Sequence, residues 1–117
     1  MGNVNKVILI GNLGVDPELK PIPSGRACCH LRLATTAVFK DAAGQRQEKT
    51  EWHRVTAWGP IAEQCVRFLK KGRSVYVEGR LESRSWEEDG KKRWATDVVA
   101  NRVVFLGGPG AEREAAA

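Results

Sequence analysis

The stretch TEWHRVTAWGPIAEQCVRFLKKGRSVYVEGRL, residues 50–81, reads as strand, helix, strand, and it decides the fold. Side chains along a strand point to alternate faces. From Glu51 to Trp58 this puts Trp52, Arg54, Thr56 and Trp58 on one side and His53, Val55 and Ala57 on the other. Gly59-Pro60 ends the alternation and opens a helix, with Pro60 near the first turn, where a missing N–H costs nothing. Ile61, Cys65 and Phe68 or Leu69 then recur at helical spacing and make one apolar stripe. Lys70-Lys71-Gly72 closes the helix: two cations near the negative end of its dipole, then glycine as a C-cap. Period two resumes at Arg73 and runs to Trp86. Val75, Val77 and Leu81 face inward; Tyr76, Glu78, Arg80, Glu82, Arg84 and Trp86 face outward.

Two strands precede this unit and one follows it. Lys6 to Leu13 is a continuous apolar run ended by Gly14 and Asp16-Pro17, which reads as a buried strand. After a turn at Pro21, Pro23, Ser24 and Gly25, Ala27 to Thr36 alternates, with Cys29, Leu31 and Leu33 on one face and His30 and Arg32 on the other. Lys40 to Lys49 is polar around Gly44 and reads as a flexible hairpin loop. Beyond a turn at Glu87 to Gly90, a last strand runs from Lys92 to Phe105. The order is three strands, one helix, two strands. That is the order of an all-β, five-stranded OB-fold Greek-key barrel with one helix between strands three and four, although other small α+β folds share it. Residues 1–106 form the expected domain, and 107–117 a short flexible C-terminal tail after Gly107-Gly108-Pro109-Gly110.

Composition narrows the class. The 117 residues suit one domain with one core, at 42% hydrophobic and 28% charged. The N-terminal apolar run, Val7 to Ile10, is too short for a secretory signal, so an intracellular, cytoplasmic protein is expected. Three cysteines, Cys28, Cys29 and Cys65, read as buried reduced thiols. Nineteen Lys+Arg against fourteen Asp+Glu leave a net charge of +5, which permits an anionic partner without demonstrating one. Catalysis finds no support. His30 and His53 lack ligand-spaced partners, so no metal site is expected; Gly11 to Gly14 lacks the Lys-Ser/Thr of a phosphate loop; Glu87, Glu88 and Asp89 share a turn. No cofactor is expected.

The positive signal is the outward face of the third strand. Two indoles flank an arginine and a threonine, and a core would not hold an unpaired guanidinium. Flat rings on an open sheet receive unpaired bases, while Arg54 meets a phosphate or stacks. The competing reading covers both indoles with another element and lets Arg54 reach out to water. Arg84 and Trp86 repeat the theme, and Trp86 and Phe39 fall at the edges of polar loops. A structured-RNA binder on an OB barrel would show the same charge, and a protein-interaction OB domain would share the fold. Duplex RNA, read largely by shape, would not need several exposed rings.

Three separated motifs, NKVILIGNLGVDPE at 5–18, TEWHRVTAWG at 50–59 and KKGRSVYVEGRLESRSW at 70–86, resemble the bacterial-type single-stranded DNA-binding protein family over about residues 3 to 106. The resemblance implies an OB-fold homotetramer. Such a protein wraps single-stranded DNA with little sequence preference during replication, recombination and repair. It also implies roles by position. Phe39, Trp52, Trp58 and Trp86 match stacking positions, with Phe39 standing where better-known members carry Trp and Trp58 where they carry Phe. Arg54, Lys71 and Arg84 match basic positions along the DNA backbone, with Lys6 and Lys20 matching less firmly. His53 and Tyr76 match subunit-interface positions. Pro60 departs from a common Lys. The family commonly ends in a Gly/Pro/Gln-rich linker and an acidic tip finishing in Pro-Phe; AEREAAA, with Glu112 and Glu114, does not match it. Recruitment of replication and repair proteins is therefore doubtful on the sequence alone.

Overall fold

A computed structural model describes residues 2–107 and the backbone of 113–114. Its elements are β1 (Val7–Leu13), β2 (Leu19–Pro21), β3 (Ala27–Lys40), β4 (Arg46–Trp58), α1 (Gly59–Phe68), β5 (Ser74–Glu88), β6 (Lys91–Leu106) and β7 (Arg113–Glu114). The sheet runs β1-β5-β6-β4-β3, and β1 returns to β3 through Asn12↔Ala34 and Leu13↔Leu33, which closes a five-stranded barrel. Pairing is antiparallel except where β4 lies parallel to β6 at Val55↔Val98 and Thr56↔Val99. The expected OB-fold barrel, with its helix between the third and fourth barrel strands, is the observed one. β2 adds a short rung outside β3 that the sequence reading missed.

The barrel interior is built from inward residues the alternation singled out, joined by Val103 of β6. Leu31, Leu33, Val55, Val75, Val77 and Val103 are fully buried. Helix α1 has Trp58 as N-cap and Pro in its first turn, and it plugs one end with Ile61, Ala62 and Cys65. The Phe68 ring packs 5.8 Å from that of Phe105. All three cysteines are free and buried. The Cys65 thiol donates a hydrogen bond to Cys29, and that bond together with burial pushes Cys65 well above its ordinary range, as expected of an inert core thiol.

Several expectations need correction. The polar stretch 40–49 is mostly strand: β3 and β4 stay in unbroken register from Cys28↔Trp58 to Lys40↔Arg46. Only 41–45 turns the chain, held by Asp41 Oδ1, which accepts the N–H groups of Ala43 and Gln45 at 2.9 Å. A ribbon solvated on both faces needs backbone pairing and no apolar alternation, so the pattern carried no sign of it. Leu81 is 49% exposed rather than inward. The β5–β6 register slips between Glu78 and Gly79, and past Gly79 on β5 and Asp97 on β6 the pair leaves the core as a second ribbon. Its tip is the two-residue turn Asp89-Gly90, with φ of 51° and 76°, a primed hairpin turn that matches the twist of the strands. Strand β1 is buried on one face only: Leu13 is 3% exposed, whereas Ile8 and Ile10 are 56% and 60% exposed. Gly72 does not cap α1. The helix ends at Leu69, whose N–H reaches Cys65 O at 2.9 Å, and Lys70–Arg73 is a separate turn. Of the expected tail, 108–112 and 115–117 lie outside the described residues, while the backbone of Arg113–Glu114 pairs with β6.

Candidate nucleic-acid interface

Cross-strand partners share a face, so register determines which outward residues meet. Between β3 and β4 the rungs are Cys28↔Trp58, His30↔Thr56, Arg32↔Arg54 and Ala34↔Trp52. Between β5 and β6 they are Arg80↔Val99, Glu82↔Asp97, Arg84↔Ala95 and Trp86↔Arg93. The parallel join of β4 to β6 sets these two ladders side by side.

The resulting surface is a continuous trough of three hollows. The first, about 450 Å³, includes Lys20, Trp52, His30 and Arg54 in its walls. The second, about 250 Å³, shares His30 and Arg54 with it and adds Trp58, Arg84 and Asp97. The third, about 580 Å³, shares Trp58 and Glu82 with the second and ends at Arg26, Pro60 and Arg80. Basic and aromatic side chains alternate along it.

Each indole on this face carries a guanidinium. Arg32 lies 5.0 Å from the Trp52 ring centroid, Arg26 5.2 Å from Trp58, and Arg84 4.7 Å from Trp86. Trp52 is half exposed, so it is not a core residue, and the reading that covered both indoles fails for it. The ring also lies against Gly14, where an added Cβ would stand 2.4 Å from Trp52 Cζ3. At the centre of the trough Asp97 Oδ2 accepts from Arg84 Nε at 2.8 Å, and Oδ1 pairs with Arg54 Nε at 3.8 Å. His30 Nδ1 stands 3.2 Å from Thr56 Oγ1. Burial, then the nearby Arg54 and Lys20, hold the His30 imidazole below its ordinary pKa, against the opposing pull of Asp97.

Of the residues singled out from sequence, Trp52, Arg54, Trp58, Arg84 and Lys20 line the trough, as does His53, which was expected at a subunit interface. Trp86 continues it along the β5–β6 ribbon beneath Arg84. Lys71 is exposed in the turn after α1, and its N–H bonds Asp16 Oδ1 at 2.7 Å, beside the Val15 wall near Trp52. Phe39 is 48% exposed but pairs with Gln47, in the alternating set of Leu33 and His53 rather than that of Trp52. Lys6 acts on Glu78, at the β1–β5 side of the barrel, away from the trough. His53 is half-buried and bonds Thr35 Oγ1 at 2.8 Å through Nε2. Tyr76 donates to Glu78 and faces outward beside Ile10. That bond lowers the Glu78 pKa and raises that of Tyr76. The sequence reading missed Arg26, Arg32, His30 and Asp97 as trough residues. It also missed Trp94, 67% exposed with Lys92 over its ring. Their signal is the register, which no single strand carries.

Fold and face together define an OB-fold barrel bearing an aromatic, basic trough. The chain belongs to the single-strand binding protein family, whose model matches residues 4–106. It is 50% identical over 106 residues to single-stranded DNA-binding protein 1 of Chlorobaculum tepidum, covering 89% of this chain and 65% of that one. It is 49% identical over 107 residues to the single-stranded DNA-binding protein of Neisseria meningitidis serogroup A, covering 91% of this chain and 62% of that one. The chain thus spans somewhat less than two thirds of these curated relatives. Among solved structures, the Plasmodium falciparum SSB complex with ssDNA matches with a TM-score of 0.84 at 30% identity, covering 92% of this chain and 98% of that one. The wild-type single-stranded DNA binding protein from Thermus aquaticus matches at 0.78 and 42% identity, over 92% of this chain and 52% of that one.

Proposed function

We propose that this domain binds single-stranded DNA with little sequence preference, and that it does so by contact alone, without catalysis. The observation that carries the reading is the row of partly exposed indoles, each under a guanidinium, along one basic trough. Bases of any identity offer a π-face to Trp52, Trp58 and Trp86, which accounts for sequence tolerance. Arg54, Arg84, Lys20 and Lys71 neutralise phosphates between the rings, and Phe39 extends the surface onto the β3–β4 ribbon. Lys6 serves the β1–β5 side instead. The names of the relatives, and a solved neighbour that is an SSB complex with ssDNA, support this reading. No helix among the described residues is long and apolar enough to cross a membrane. A cytoplasmic role on strands exposed in replication, recombination and repair follows from the same reading.

The same proposal extends to assembly. Ile8 and Ile10 leave an apolar patch on the outside of β1, next to Tyr76 on β5. A homotetramer that buries this patch, with His53 at a second contact, places several troughs on one particle, around which a strand can wrap. Residues 1–106 act as the binding domain and 107–117 as a short tail. The test is competition for a labelled dT oligonucleotide by unlabelled single strand, duplex DNA and structured RNA. Single strand should displace it at far lower concentration than the other two. Equal displacement by duplex would contradict the proposal.

A further inference from the structure

Asp97 is the only buried charged side chain among the described residues, and it sits in the middle of a surface read here as a site for phosphate. An acid there opposes a polyanion, so its presence needs a reason. The geometry supplies one. Arg84 and Arg54 both reach Asp97 through Nε, one to each carboxylate oxygen. Their terminal amino groups make no other hydrogen bond or ion pair among the described residues, and both side chains are about half exposed. Arg84 also lies over Trp86. Arg54 stands opposite Arg32 on the neighbouring strand, a like-charge pair that would splay without a counter-charge.

We propose that Asp97 is a positioning residue for the single-strand contact: it holds Arg84 by a hydrogen bond at Nε and Arg54 by an ion pair, so that their outer amino groups face an incoming phosphate and Arg84 stays stacked on Trp86. The inference rests on the function proposed above. A guanidinium held at one edge loses less freedom when it binds a phosphate at the other. The long side chains of Arg54 and Arg84 would otherwise be ordered only at the moment of binding.

Simple charge and positioning predict opposite signs for Asp97→Asn. Removing a negative charge from the trough should tighten binding if Asp97 acts only through its charge. Positioning predicts weaker binding, roughly three- to tenfold, because a neutral amide replaces a charge-assisted partner with a weaker one. The experiment measures affinity for a labelled dT oligonucleotide at several salt concentrations, for wild type and Asp97→Asn. Alongside the loss, the slope of log K against log salt should fall by about 0.7 for a phosphate contact no longer made. Equal or tighter binding by Asp97→Asn, with wild type binding normally, overturns the inference and leaves the functional reading intact. Wild type that fails to bind overturns both. Should Asp97→Asn unfold at the working temperature, nitrogen-labelled arginine in wild type decides the matter by NMR. An Nε–H signal of Arg84 that stays slow to exchange in both free and bound protein supports positioning; its loss on binding overturns it.

Discussion

Trp52 shows what a single residue contributes. Its ring packs against Gly14 and a guanidinium stands over it, yet half the side chain meets solvent. Stacking on an aromatic is worth about 1–3 kcal/mol per base, so Trp52→Ala should weaken binding of a dT oligonucleotide roughly ten- to a hundredfold, and the loss should persist at high salt. Arg54→Ala should instead lower the salt slope. Gly14→Ala tests the seat beneath the ring: a methyl group 2.4 Å from Cζ3 must displace the indole, so affinity should fall while Arg32, Arg54 and Arg84 are untouched. Retained affinity in Gly14→Ala would mean the ring position does not matter. His30 adds a pH dependence. Its pKa is depressed by burial, then by Arg54 and Lys20, with Asp97 opposing and Arg84 adding to the depression. The neutral ring is thus the favoured form in the free protein. Its contribution to stability is present above the unfolded value of about 6.5 and is lost as pH falls through the folded value. Phosphate in the trough favours the imidazolium, so binding should take up a proton and affinity should rise as pH drops from 8 to 5.5. His30→Gln should flatten that profile, as followed by oligonucleotide titration at constant salt; an unchanged profile would remove His30 from the interface.

Elements decide how much of this was legible. Strand order could be read because Val55, Ala57, Val75 and Val77 alternate strictly on either side of a Gly-Pro break, and the inward set is the buried one. The β3–β4 ribbon was read as a loop because the barrel supplies the reason for alternation and the ribbon has left it; the β5–β6 strands were read to within two residues of their bounds, but not their departure from the core. Leu81 and Trp94 keep core parity beyond the barrel end and so emerge into solvent. Trp52, Arg54 and Trp58 were legible as a site because they lie on one strand. Arg32, His30 and Asp97 were not, because they join that strand only through β3–β4 and β4–β6 register. Gly79 marks the seam where the second ribbon departs. A Cβ there would stand 2.2 Å from Val99 O, in the backbone of the paired strand. Gly79→Ala should therefore destabilise by about 2 kcal/mol or more, shifting the melting temperature down by several degrees in a calorimetric scan. An unchanged melting temperature would mean that the close approach of Gly79 to the Val99 backbone is not a packing requirement.

At the scale of the whole molecule, the trough and the apolar outside of β1 occupy different sides of one barrel, so burying that patch leaves the trough open, while His53, which also lines the first hollow, is where assembly and binding meet. Light scattering at micromolar protein should give a tetramer mass, and His53→Tyr should lower it at low concentration; a monomer mass for wild type would contradict the assembly. Several troughs on one particle also predict that the length of single strand occluded per oligomer grows as salt rises, since salt strips phosphate contacts of roughly 0.7 in slope each and leaves stacking in place. All of this rests on bases meeting indoles. The most direct measurement is intrinsic tryptophan emission during titration with a dT oligonucleotide whose binding is followed in parallel by its own label. Emission should be quenched in step with binding and remain quenched at high salt wherever the strand stays bound. Bound oligonucleotide with unchanged tryptophan emission would contradict the account.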